Sequence, residues 1–179
     1  MKKRKAYPTD LQDNEWAVLE PELPKASKRG RPRKHSQREI LNAMFYLVKN
    51  GNVWAALPHD FPPYKTVYGY FRVWCLSGLW KRLNACLRRL VRIKSKRKIN
   101  PSAAIIDSQA IKSVEGGIER GFDAGKLIWG RKRHILVDTL GLLLAVLVTS
   151  AGVQDRDGAR LLFEQVKNDP WRRMKRVWA

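Results

Sequence analysis

The segment Ala104-Ile105-Ile106-Asp107-Ser108-Gln109 is an apolar run that ends in a carboxylate, and it predicts a strand over about 103–107. A carboxylate is costly to bury unless it is paired or bound to a metal. Asp107, with Ser108 and Gln109 beside it, is a natural oxygen ligand for Mg²⁺ or Mn²⁺. The alternative is a solvated aspartate at a strand end, which is the better interpretation of a single aspartate taken in isolation.

The residues that follow predict a mixed β-sheet. Strand patterns occur at 131–138, 142–149 and 175–179. The segment Asp138-Thr139-Leu140-Gly141 predicts a tight turn that joins the first two of these as a hairpin. A helix capped by Asp157 is predicted over about 158–167. The order β-β-β-α-β therefore indicates three antiparallel strands and a fourth strand reached through a helical crossover.

The front of the chain predicts a compact bundle of short helices. Apolar periodicity and turn residues place them at about 11–20, after Ser36, and at about 53–57, 65–76 and 79–93. Thr9 or Asp10 is expected to cap the first, and Ser36 with Glu39 forms a capping box for the second. The pair 53–57 and 65–76 has helix-turn-helix proportions. Four tryptophans fall on helical faces and are expected in the core: Trp16, Trp54, Trp74 and Trp80.

The charge of the chain is high and uneven. Its formal net charge is +20, of which residues 1–100 contribute +16 (23 Lys/Arg against 7 Asp/Glu) and residues 101–179 contribute +4 (13 against 9). A basic front half joined to a nearly balanced rear half indicates a polyanion-binding module followed by a different unit. Nucleic acid is favoured over a membrane surface, because the basic residues are interleaved with Trp, Tyr and Pro and form no long amphipathic basic stripe. No apolar run reaches spanning length. The predicted domains are 1–94 and 102–179, with a basic linker at 95–101.

Three groups of residues are candidates for DNA contact. The first lies in a basic loop whose Arg-Gly-Arg-Pro core suits a narrow minor groove, the second begins the helix at 65, and the third lies on a strand. They are Arg29, Arg31, Arg33 and Lys34; Lys65, Thr66 and Tyr68; and Arg131, Lys132 and Arg133. The alternatives are a solvated basic loop that binds phosphate non-specifically and an edge strand protected by its charge. His134, beside the third group, is a candidate general base or a packing residue.

The order of these motifs resembles one known family. Gly30-Arg31-Pro32-Arg33, Phe61-Pro62-Pro63 and Thr66-Val67-Tyr68 resemble the N-terminal helical domain of bacterial transposases of the fifth insertion-sequence family. The segments Ile105–Gln109, 130–138 and 153–159 are similar to the catalytic domain that follows it. The resemblance implies an α+β chain, with a helical, helix-turn-helix-like bundle before a ribonuclease-H-like mixed sheet. It also implies a DDE triad of acids, a divalent metal, and DNA cleavage and strand transfer at terminal inverted repeats.

Within that resemblance, Asp107 matches the first catalytic aspartate, which is also a metal ligand. The second aspartate is expected directly after a Trp-Ala pair like Trp178-Ala179, and the glutamate much further on, so this sequence holds neither. Asp155 and Asp157 match family positions outside the triad. We therefore expect an incomplete sheet, weak binding of Mg²⁺ or Mn²⁺, and little or no cleavage by this chain alone. It is expected to be one half of a frameshifted product or a decayed fragment.

Two other functions remain open at this point. The first is a DNA-binding regulator that occupies the ends of the element and inhibits transposition, and it differs from a transposase in cleavage rather than in binding. The second is an RNA-binding basic protein, which the helix-turn-helix proportions disfavour. The expected partners are double-stranded DNA and a second copy of the chain, with no membrane partner. The expected location is the bacterial cytoplasm, in association with the nucleoid.

Overall fold

The computed structural model describes residues 4–25, 32–113, 119–167 and 174–179. The chain divides into two compact units, Met1–Leu83 and Asn84–Ala179. The first unit is helical and the second is built on a five-stranded sheet, so the chain has the predicted α+β fold. Among the described residues, none of the helices is both long and apolar enough to cross a membrane.

Short helices make up the first unit. The α-helices are α1 (Asp13–Leu19), α2 (Gln37–Asn50), α3 (Tyr64–Leu76) and α4 (Leu79–Lys94), the last of which continues into the second unit. Two 3₁₀ turns, Glu20–Glu22 and Trp54–Ala56, lie between them. The first member of the predicted helix-turn-helix pair is thus a single 3₁₀ turn rather than an α-helix.

The caps of α1 and α2 only partly follow the prediction. Gln12, not Thr9 or Asp10, precedes α1, and its N–H donates to the Glu15 carboxylate at 2.8 Å. Asp10 is unavailable as a cap because its carboxylate binds the guanidinium of Arg4 at 2.8 Å. At α2, Ser36 accepts the N–H of Glu39 as predicted. The reciprocal hydrogen bond of that capping box, in which the Glu39 side chain would accept the backbone N–H of Ser36, is not formed among the described contacts. The Glu39 carboxylate pairs with Arg4 instead.

The core of the first unit is apolar and aromatic. Ile40 and Leu41 of α2 and Val67 of α3 are fully buried, and Trp74 is 2% exposed. The four tryptophans predicted as core residues all belong to this cluster, with Trp74 buried and the other three packed against it. Their rings are therefore used in packing, which confirms the prediction that they belong to the core.

A mixed sheet forms the second unit. Its strands are β1 (Ala103–Lys112), β2 (Gly121–Asp123), β3 (Ile128–Asp138), β4 (Leu143–Ser150) and β5 (Arg176–Trp178). β3 pairs antiparallel with β1, β2 and β4, and β1 pairs in parallel with β5. The predicted hairpin and the parallel crossover strand are both present. The short strand β2 was not predicted.

Helix α5 (Asp155–Val166) covers one face of this sheet. Leu162 is fully buried, and it clusters with Ala104 and Leu136. Gln154, rather than Asp157, holds the N-cap position of α5, so the predicted helix start was three residues late. Along β1, side chains alternate between the faces, so Ala104, Ile106 and Ser108 share the covered face.

The turn between β3 and β4 is fixed by a buried ion pair. Asp138 is completely buried, and its carboxylate contacts the guanidinium of Arg92, whose side chain is 6% exposed. The other carboxylate oxygen accepts the N–H groups of Leu140 and Leu142. Gly141 has a φ of 75°, a left-handed conformation that suits glycine. Asp138 is therefore structural, as predicted.

Candidate functional site

A cleft of about 650 Å³ opens in the second unit beside the end of β5. Its lining comes from β1, β3, α5 and the last three residues of the chain. The lining residues are Ile106, Asp107, Ser108, His134, Asp155, Arg156, Ala159, Arg160, Phe163, Val177, Trp178 and Ala179. The pairing of β5 with β1 extends to the pair Ile105 and Trp178, so β5 as described does not reach Asp107.

Asp107 lies within β1 and not at its end as predicted. The strand continues to Lys112 because β3 pairs with it along its whole length, and Asp107 stands opposite Ile135. Asp107 is exposed, and its carboxylate accepts the N–H of Ser108 at 2.7 Å. Asp107 is thus a lining residue of the cleft, and its carboxylate has no cationic partner among the contacts of the described residues.

Asp155, the other carboxylate of the cleft, is held by Lys132. The Lys132 ammonium lies 3.0 Å from Asp155 Oδ1 and 3.1 Å from Asp123 Oδ2, and it donates to the Val153 carbonyl at 2.9 Å. Hydrogen bonding to Lys132, and then to Ser108, lowers the pKa of Asp155. The Asp155 carboxylate is therefore anionic at neutral pH, and it shares the single charge of Lys132 with Asp123.

Lys132 itself is buried, with 6% of its side chain exposed. Burial lowers its pKa, but hydrogen bonds to Asp155 and Asp123 outweigh burial, so the pKa lies above the usual value. The pKa of Asp123 is lowered chiefly by the same hydrogen bond. The lysine thus remains charged, and it ties α5 and β2 to β3.

His134 is a packing residue with a neutral ring. It is 1% exposed, and its Nε2 lies 3.1 Å from the Thr149 hydroxyl. Burial lowers the pKa of His134 below its usual value. Helix α5 packs directly on the ring, since a Cβ added to Gly158 would stand 2.0 Å from His134 Cε1. Of the two interpretations of His134, packing is the one that this geometry favours.

The candidate DNA contacts of the first unit differ in their exposure to solvent and in their hydrogen bonds. Lys65 and Tyr68 are exposed on α3, and Thr66 is half-buried. Lys34 is exposed, whereas the guanidinium of Arg33 donates to the carbonyls of Pro24 and Lys25. The remaining loop candidates, Arg29 and Arg31, lie outside the described residues.

The three basic residues of β3 do not share one face. Arg133 is exposed and donates to the Gln109 side chain, and Arg131 is half-buried. Lys132 lies between them in sequence and points to the face that α5 covers, because neighbouring side chains of a strand alternate. Its ammonium is committed to two carboxylates, so this geometry disfavours the predicted DNA contact by Lys132.

Sequence reasoning missed two cations of the cleft. Arg156 and Arg160 stand four residues apart on α5, so they share one side of the helix, and both are exposed. The spacing was hidden because the predicted helix began at 158, which left Arg156 outside it, whereas α5 begins at Asp155. The cleft therefore combines a carboxylate that can bind a cation with guanidinium groups that can bind phosphate.

The donor set suits a divalent cation only in part. Carboxylate oxygen is the ligand that Mg²⁺ prefers, and Asp107 offers it at an exposed position. Within the described ranges, no group of three or more His, Cys, Asp or Glu residues could hold a metal ion. Among the described residues, Asp107 is the cleft carboxylate without a cationic partner and Asp155 is paired with Lys132, whereas chemistry that depends on two metal ions needs several carboxylates around them.

Comparison with known proteins gives concordant results for both units. Residues 11–84 match a family described as "Putative transposase of IS4/5 family", and residues 99–179 match the family "Transposase DDE domain". A 16.2 kDa uncharacterized protein of insertion element IS402 from Burkholderia cepacia is 29% identical over 117 residues, which cover 62% of this chain and 78% of that protein. No solved structure matches the chain.

Proposed function

This chain belongs to the transposases of insertion sequences, and we propose that it binds the terminal inverted repeats of its element but does not cleave them unaided. DNA binding is assigned to residues 1–94, joined through a basic linker at 95–101 to the catalytic unit at 102–179. The observation that carries the proposal is the cleft, in which Asp107 has no cationic partner among the described contacts and Asp155 is paired with Lys132.

Charge supports the DNA-binding half of the proposal. The first 100 residues carry +16, and neither α3 nor α4 contains an acidic residue. A duplex with one phosphate charge about every 1.7 Å attracts such a surface and releases counterions on binding. Lys34, Lys65 and Tyr68 present their side chains to solvent and are the proposed contacts of this half, together with Arg29, Arg31, Arg33 and Thr66.

The cleft supports a role in handling a DNA strand. Arg156 and Arg160 would bind a backbone phosphate, and Asp107 would be a ligand of Mg²⁺ or Mn²⁺, which supplies Lewis-acid chemistry when it is bound. Arg131 and Arg133 remain proposed contacts on the neighbouring strand. Because one carboxylate holds a hard cation weakly, we expect binding of Mn²⁺ to this chain only at millimolar concentrations or above.

The register of β5 indicates where a second carboxylate would stand. Ile105 pairs with Trp178 in parallel, so Ala179 falls beside Ile106, and a residue bonded to Ala179 would fall beside Asp107. A carboxylate there would share a cation with Asp107. We propose that cleavage requires such a group, whether from the same polypeptide or from another. A second copy of the chain and a location on the bacterial nucleoid are part of the same proposal.

One experiment tests both parts of the proposal, DNA binding and the lack of unaided cleavage. The purified chain is mixed with duplexes that carry the inverted repeats of its element, in Mg²⁺ and in Mn²⁺, and binding and strand cleavage are measured for the wild type, Asp107→Ala and Asp107→Asn. The proposal expects equal binding by all three and no cleavage. Mn²⁺ binding, followed by its paramagnetic resonance signal, should be lost in Asp107→Ala.

The outcomes separate the possible functions. Metal-dependent cleavage by the wild type that disappears in Asp107→Asn would show an active enzyme and refute the claim that this chain needs a further carboxylate. Loss of binding in Asp107→Ala would make Asp107 a structural residue. If binding without cleavage also represses transposition in cells, the second candidate, a regulator that occupies the ends, is the better description. The pairing of Asp155 with Lys132, which leaves Asp107 as the cleft carboxylate without a cationic partner among the described residues, is the observation that favours it.

A further inference from the structure

Gly69, in the interior of α3, has no structural explanation within the protein. Among the described residues, a Cβ added to Gly69 would meet no atom within 4 Å beyond its chain neighbours and the backbone of its own helix, and Gly69 does not have a positive φ. Glycine destabilises a helix interior relative to alanine, because it loses more backbone freedom on folding. Neither packing nor backbone conformation therefore accounts for a glycine at this position.

The residues around Gly69 form one exposed face of α3. Lys65, Tyr68, Arg72 and Val73 are exposed, and with Gly69 they repeat at intervals of three and four residues. The opposite side of the helix is anchored in the core through Val67 and Trp74. We call this exposed set, Lys65, Tyr68, Gly69, Arg72 and Val73, the α3 face.

The chemistry of the α3 face suits duplex DNA. Its two charges are positive, and α3 contains no acidic residue. A lysine and an arginine can bind phosphates or the O6 and N7 atoms of guanine, and an apolar side chain such as that of Val73 can contact a thymine methyl group. A helix with side chains fits the major groove of B-form DNA, which is about 12 Å wide.

We infer that the α3 face enters the DNA major groove, with Gly69 at the point where the helix backbone comes closest to the DNA. The glycine removes the side chain that would keep the helix at a distance, and Lys65 and Arg72 flank this point, one helical turn before and after it. This inference rests on the proposed DNA-binding function, and it adds the surface, the groove and the residue that sets the depth of insertion.

The test replaces Gly69 with larger residues in the full chain. Wild-type protein first selects its preferred duplex from a randomised pool, and a scrambled duplex serves as the non-specific probe. Gly69→Ala and Gly69→Leu are then compared with Val48→Leu, a matched control on α2 at a position that is 81% exposed. Thermal unfolding of each variant is measured alongside, and neither Gly69 variant should lower the Tm, since alanine and leucine favour helix more than glycine.

The inference predicts that Gly69→Leu weakens binding to the selected duplex about tenfold or more, the size of one lost base contact. Binding to the scrambled duplex and the salt dependence should not change, because no phosphate contact is removed. Gly69→Ala should show a smaller loss, and Val48→Leu none. Arg72→Ala should weaken binding to the selected duplex, because its guanidinium flanks Gly69 on the face that enters the groove.

Three results would overturn the inference. Unchanged affinity of Gly69→Leu for the selected duplex would mean that α3 does not approach the bases. An equal loss on both duplexes would place the α3 face on the DNA backbone and not in the groove. Preferential binding of wild type to double-stranded RNA would exclude a major-groove mode, because that groove is too narrow in RNA. If wild type binds no duplex at all, the proposed function fails first, so the two failures can be told apart.

Discussion

Two helices of this protein carry an interior glycine, and the surroundings of the two glycines are opposite. In α5, a Cβ on Gly158 would stand 2.0 Å from the His134 ring, so the glycine is required for the helix to reach the sheet. In α3, Gly69 faces open space. The first glycine is explained by the protein's own packing, whereas the second requires an explanation outside it.

The cationic side chains show the same contrast, because some are paired inside the protein and others are exposed to solvent. In the second unit, Arg92 is buried against Asp138, and Lys132 is buried between Asp123 and Asp155. On α3, Lys65 and Arg72 are exposed. A cation that is already paired inside the fold is a poor candidate for DNA contact. The comparison therefore moves the expected DNA surface from the middle of β3 towards the first unit.

The largest expected effect comes from the same substitution made at two arginines. Arg92→Leu leaves the Asp138 carboxylate buried without its counter-charge, which should cost about 3–5 kcal/mol in the free energy of unfolding. Arg72→Leu, on an exposed helical position, should change it by about 0.5 kcal/mol or less. Urea unfolding of both variants provides the measurement. Equal losses in the free energy of unfolding would contradict the distinction between cations that are paired inside the protein and cations that are exposed.

The next largest effect is expected when the same substitution is made at the two glycines. Gly158→Ala forces a methyl group against the packed His134 ring and should cost about 1–3 kcal/mol, the usual range for overpacking. Gly69→Ala should instead stabilise the fold by about 0.5–1 kcal/mol. Thermal unfolding of both variants tests the opposite signs. A loss of stability in Gly69→Ala would show that Gly69 has a structural role after all.

The smallest effect is a pH dependence from His134. Its folded pKa is below the unfolded value of 6.5, so the folded state binds fewer protons, and stability rises with pH. The contribution is fully present above about pH 6.5 and is lost as the pH falls through the lowered folded pKa. Chemical unfolding between about pH 7.5 and about pH 5.5, one unit on either side of the unfolded value, should show this slope. His134→Asn should lack it, and an identical slope in the variant would assign the effect to other groups.

Much of the sheet could be predicted because its signals are local. Alternation and the turn at Asp138–Gly141 predicted the hairpin of β3 and β4, and Ser36 predicted the start of α2. The errors come from contacts between residues distant in sequence. Glu39 pairs with Arg4 instead of completing the capping box. Likewise, β1 continues to Lys112 only because β3 lies beside it.

The candidate site was predicted less completely than the fold. Asp107 was identified from its apolar run, and the cleft does contain it. The role of Lys132 was missed although strand alternation already separates it from Arg131 and Arg133. Its partners Asp123 and Asp155 lie on β2 and α5, and nothing local in the sequence joins them. β2 itself is three residues long, too short for a periodic pattern.

The most direct test of the central claim is the salt dependence of duplex DNA binding by the full chain. If the exposed cations of the basic front half bind the backbone, log K should fall linearly with log salt concentration, with a slope near −0.9 for each phosphate contacted, and Lys65→Ala should lower that slope by about one. A steep slope reduced in this way is the predicted result. An affinity that does not change between low and moderate salt would contradict the account.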